Sequence, residues 1–190
     1  KNVAVGTGTV TVKSQGLVVV PPVAATAVGP VTTLTAYGVG AGLFSSPAGA
    51  ASNLQTPSST QFSFDYNIPS ATSTSYGGGI LAFGGTRPNL TSSNLVFDVS
   101  GVSTLRVSVS DNVVVGTNPD GSNQYRSVTL QFTGITSTNK FIAITRADLL
   151  NAASDFGFAT ITSVSFVVDK NVAVGTGTVT VKSQGLVVVP

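Results

Sequence analysis

The chain of 190 residues has no cysteine, histidine, methionine or tryptophan, and all seven of its acidic residues are aspartate. Without cysteine there is no disulfide framework, which leaves the compartment open. Without histidine or cysteine, the common catalytic triads and zinc sites cannot be built. Without glutamate, a glycosidase would need two aspartates, and no Asp pair has distinctive spacing. Serine is too common for a Ser–Lys adjacency to mean anything. An autonomous hydrolase is therefore disfavoured, and the chain is expected not to be an enzyme.

Charge is also scarce, at 8% of residues. The net +2 comes only from Lys170 and Lys182, because residues 1–169 carry seven cations and seven anions. No basic stripe is available for phosphates, so nucleic acid is not an expected partner. The longest apolar run, Leu17–Val31, is broken by Pro21, Pro22, Gly29 and Pro30. It is too short and too interrupted for a membrane span. Low charge with abundant Ser, Thr, Val and Gly points to a β-rich protein outside the cell or on its surface.

One segment is present twice. KNVAVGTGTVTVKSQGLVVVP occupies Lys1–Pro21 and again Lys170–Pro190, an offset of 169 residues. A tandem array with that period is one origin, and a copied end strand is another. No Gly/Ser linker marks Asp169–Lys170, which favours the array. The expected organisation is a strand at 1–13 equivalent to the end of a preceding module. A single β-sandwich module follows at 16–183, and 184–190 begin the next module. The piece reads as an excerpt from a longer mature protein.

Between the copies, apolar residues alternate with the strand period of two. The dry faces are Phe62, Phe64 and Tyr66; Leu95, Phe97 and Val99; Leu105, Val107 and Val109; Val128, Leu130 and Phe132; and Val164, Phe166 and Val168. Further strands are expected at Val31–Ala36, Gly79–Phe83 and Lys140–Thr145. Gly116–Asn123 is a strong turn signal, whereas 52–60 and 70–79 read as polar or glycine-rich loops. The glycine clusters Gly38–Gly42 and Gly77–Gly85 fit no phosphate-binding motif and read as bulges, tight loops or close backbone approaches.

One helix is expected after Thr145, its N-cap, with Asp148 completing a capping box. Leu149, Leu150 and Ala153 would form its apolar stripe and Gly157 its end. Nine or ten strands and one short helix give the fold class: all-β, an antiparallel two-sheet sandwich of jelly-roll type, with a closed barrel as the alternative.

Within each copy of the repeat, the apolar parity changes across Gly6–Gly8, which suggests a kink. Lys13–Gly16 then reads as a break between two strands. At the second copy, Asp169-Lys170-Asn171 suits a hairpin that would place Asn171–Val181 beside Ser163–Val168. Two identical strands would then compete for one slot. The inter-module strand is expected to use Val3, Val5, Val10 and Val12, repeated as Val172, Val174, Val179 and Val181.

The Thr/Val/Gly-rich strands, absent cysteine and duplicated segment resemble the repeat modules of bacterial or archaeal surface fibres and long adhesins. That resemblance implies a structural module of a filament, stalk or surface layer. Its partners would be identical modules, joined head to tail or by donor-strand-like β-augmentation. It carries over no site residue.

The alternative function is a carbohydrate-binding module of an adhesin or secreted enzyme, contacting glycan through Tyr37, Tyr76 and Tyr125. No cofactor is expected beyond calcium, for which Asp111, Asn118 and Asp120 offer oxygen ligands. Ordinary Asx turns explain the same residues. Asn89-Leu90-Thr91 is a glycosylation sequon. An internal Lys–Asn crosslink would need Asp65 or Asp98 as a buried acid beside the pair.

Overall fold

The computed structural model describes residues 18–20, 31–32, 39–58, 61–84, 87–118, 121–138 and 140–188. Its strands are β1 (Val18–Val20), β2 (Val31–Thr32), β3 (Val39–Ser46), β4 (Ala51–Ser58), β5 (Gln61–Ile68) and β6 (Tyr76–Phe83). They continue with β7 (Ser93–Ser100), β8 (Thr104–Thr117), β9 (Asn123–Thr133), β10 (Phe141–Ile144), β11 (Ser163–Asp169) and β12 (Gly175–Val188). The helix α1 (Arg146–Ala152) lies between β10 and β11.

The strands form two sheets, in the orders β1-β9-β8-β11-β6-β3 and β10-β7-β12-β5-β4, with β2 also paired to β12. Among the described residues all pairings are antiparallel except β1 with β9. This is the jelly-roll-like sandwich expected from the alternation.

Each strand turns one face inward because its apolar residues fall on every second position. The five dry faces read from the sequence are all buried. Phe166 of the first sheet sits at the centre of the core. It packs edge-on against Phe62 and Phe97 of the second sheet, with ring centroids 5.6 and 5.0 Å away. Gly79 lets the layers meet there, since a Cβ at this position would lie 2.3 Å from Phe62 Cε2. Gly101, in the β7–β8 turn, has φ +96, and a Cβ there would lie 1.8 Å from Thr178 O. Only glycine is suited to both demands.

The helix starts as read. Thr145 accepts from the Asp148 backbone N–H, and Asp148 accepts from the Thr145 backbone, a full capping box. It ends earlier than expected, at Ala152 with Ala153 as C-cap, and buries Leu149 and Ala152.

The second copy of the repeat corrects the hairpin expectation. Both edges of β11 are already taken, by β6 and by β8. After Asp169 the chain turns, with the Val172 and Ala173 N–H groups donating to Asp169 O. It then crosses to the other sheet. There β12 lies between β5 and β7. The Lys182–Gly185 stretch does not break this strand but bulges it between Ser183 and Gly185, where Gly185 has φ +99.

Val179 and Val181 are fully buried, Val172 packs partly against the core, and Val174 is 51% exposed in the crossing. Val3, Val5, Val10 and Val12 lie outside the described residues. The first copy's Val18–Val20 runs parallel to β9 in the first sheet. The equivalent Val187 and Val188 pair antiparallel with β7 in the second. One sequence thus forms ladders in two different sheets.

Other differences concern the loops. Residues 51–58 form β4, and Gly40 and Gly42 lie within β3. Gly77–Gly79 are the close approaches anticipated, within β6.

Candidate functional site

The outward face of the first sheet is built from the residues that alternate with its core. On neighbouring strands they fall into register. Ser127 of β9 pairs with Ser110 of β8, and Ser110 with Ser163 of β11. One step along, Thr129 pairs with Ser108, and Ser108 with Ser165. Two rows of three hydroxyl residues therefore cross three strands. Ser108 and Thr129 share a 2.8 Å hydroxyl hydrogen bond. Short side chains leave this floor low.

Four of these residues, Ser110, Ser127, Ser163 and Ser165, line a groove of about 800 Å³ with bulkier groups around them. β6 contributes Tyr76, Ile80 and Ala82, and β3 contributes Phe44. The β8–β9 turn contributes Asn118, and the start of β9 contributes Asn123, Gln124 and Tyr125. Asn118 donates to Ser122 Oγ and to Asn123 O, which holds this turn together. Tyr76 is 44% exposed and Tyr125 half-buried. Arg87 also lines the groove, its guanidinium carbon 5.9 Å from the Tyr125 ring centroid. No carboxylate is among the described lining residues.

Of the sequence-expected glycan contacts, Tyr76 and Tyr125 are thus brought to one groove, and Tyr37 lies outside the described residues. Phe44, Arg87 and the serine rows were not singled out from sequence. The Ser/Thr at every second position of β8, β9 and β11 was the available signal, and it reads only as a wet face until the strand order is known.

Of the calcium candidates, Asp111 is fully buried. Its Oδ2 accepts from Arg126 Nε and Gly157 N, both at 2.8 Å, and from Arg126 Nη2, while Oδ1 accepts from Val113 N at 2.9 Å. Those donors occupy the oxygens a cation would need. Asn118 donates through its Nδ2 within its own turn, and Asp120 lies outside the described residues. Among the described residues no three acidic side chains cluster as metal ligands. The hydrogen bonds to Asp111, against the desolvation of its own burial, hold the Arg126 guanidinium above its ordinary value.

Asn89 is exposed, its Oδ1 accepting from the Thr91 N–H and hydroxyl at 2.8 and 2.6 Å. Asp65 accepts from Thr178 and Asn53, which holds its pKa below the ordinary aspartate value. Asp98 pairs with Lys140 at 3.0 Å. No described helix is long and apolar enough to cross a membrane.

No protein-family model matches this chain, and neither does any curated protein. Several solved structures are similar in fold. A family 11 carbohydrate-binding module from Clostridium thermocellum, in complex with a β-1,3-1,4-mixed-linked tetrasaccharide, is 12% identical. The match covers 78% of this chain and 88% of that one at a TM-score of 0.49. The family 30 carbohydrate-binding module of a cellulosomal cellulase of the same organism is 14% identical over 76% and 87%, at 0.47. The enzymatically active domain of tailspike protein 4 of bacteriophage CBA120 is 15% identical over 77% of this chain and 19% of that one, at 0.41. These are likenesses of fold alone.

Proposed function

We propose that the chain is a carbohydrate-binding module of an extracellular protein, and that the groove on its first sheet is the binding face. The reading rests on one observation: Ser110, Ser127, Ser163 and Ser165 line one groove together with the rings of Phe44, Tyr76 and Tyr125. A sugar ring has apolar C–H faces and a rim of hydroxyls. Tyr76, Tyr125 and Phe44 offer apolar surface for the faces, and the serines, Asn123 and Gln124 offer partners for the rim. With no carboxylate among its described lining residues, the groove is suited to holding a glycan rather than cleaving it.

A glycan array probed with the full chain tests this. Tyr76→Ala and Tyr125→Ala should each weaken the strongest signal about tenfold, equivalent to ~1.4 kcal/mol per contact. Binding left intact by both substitutions would remove the groove from consideration.

A second reading is favoured by β12. The duplicated residues 175–188 supply the strand between β5 and β7. In a longer chain such a segment would join one module to the next, or accept exchange with another chain by β-augmentation. The filament role would follow from that joint and is compatible with glycan binding on the opposite sheet.

A further inference from the structure

We propose that the ligand of this groove is an acidic saccharide whose carboxylate pairs with Arg87, an inference that rests on the groove being a saccharide site. Arg87 Nη1 is buried and has no hydrogen-bond partner, the one such side-chain atom among the described residues. Buried polar groups in folded proteins are nearly always satisfied, and an exception calls for an explanation.

The chain's other described arginines each have one. Arg106 pairs with Asp169, and Arg126 with Asp111 and Asp155. Arg146 lies 4.4 Å over the Phe158 ring. Arg87 alone combines an orphaned donor with a position in a groove whose described lining holds no carboxylate. The Tyr125 ring lies against the face of the guanidinium.

A guanidinium edge is a fork of N–H donors that matches a carboxylate in two parallel hydrogen bonds. Tyr125 places apolar surface beside that fork, where the ring of the same sugar would lie. A uronic acid carries both features within one residue: a ring with hydroxyls and a carboxylate on it. A neutral sugar would fill the groove and leave Nη1 unpaired.

Isothermal titration of the full chain with galacturonic acid hexamer and with cellohexaose decides the matter. The wild type should bind the acidic hexamer at least about tenfold more tightly, with a preference that shrinks as salt is added. Arg87→Gln should bring the acidic hexamer down to the neutral level and leave the neutral one unchanged. Arg87→Lys should retain part of the preference, because a point charge replaces the fork. Lys182→Gln, on the other sheet, should change nothing.

If Arg87→Gln weakens both hexamers equally or neither, the inference is overturned, while the groove reading stands as long as Tyr76→Ala still weakens binding. If the wild type binds neither hexamer, this inference fails. The groove reading fails with it only if the glycan array is also blank.

Discussion

Asp111 occupies the most demanding position for a single residue. A carboxylate at zero exposure is tolerable only because four donors converge on it, two of them from one guanidinium. Arg126 extends the cluster to Asp155 at 2.7 Å and lies over the Phe156 ring. The arrangement ties the end of β8 to β9 and to the loop after α1. Asp111→Ala should lower stability by about 3–5 kcal/mol in urea unfolding, because Arg126 loses its buried partner. A loss under about 1 kcal/mol would mean that the cluster does not hold those segments together. The same geometry explains why the sequence suggested a metal here: an Asp-Asn pair near a turn has the look of a ligand set until its hydrogen bonds are known.

At the scale of elements, β12 carries the argument. Val181 is fully buried in a strand flanked on both sides, so an aspartate there would place an unpaired charge in the core. Val181→Asp should cost more than about 4 kcal/mol in thermal or chemical unfolding. Val12→Asp makes the identical change in the other copy and should cost far less, because one slot takes one strand. Equal losses from the two variants would contradict the assignment of the slot to residues 175–188.

Strands with regular alternation, β5, β7, β8, β9 and β11, were legible because one face of each meets the core. The capping box at Thr145 was legible because it is wholly local. β4 was read as a loop because it is an edge strand with little apolar alternation, where Pro57 is tolerated and the pairing slips twice. The hairpin at Asp169 was misread for a different reason. Its turn chemistry is sound, and Asp169 Oδ1 does accept from Asn171 N at 2.8 Å. What sequence could not reveal was that β11 had no free edge. The site was half legible for the same reason: Tyr76 and Tyr125 stood out, but the serine rows exist only once β9, β8 and β11 lie side by side.

For the molecule as a whole, the second sheet takes in the second copy of the duplicated segment, between β5 and β7. The first sheet turns outward a face of hydroxyls and rings, with Arg87 at the side of its groove. Both faces share the core around Phe166, so a module could be linked through one sheet while the other stays open to ligand. The proposal for the first sheet is checked most directly by the backbone amide spectrum of the full chain, ¹⁵N-labelled and titrated with galacturonic acid hexamer. The account predicts shifts concentrated at Tyr76, Arg87, Tyr125, Ser127 and Ser165, with Asp65 and Thr178 on the opposite sheet unmoved. Shifts confined to that opposite sheet, or none at saturating hexamer, would contradict it.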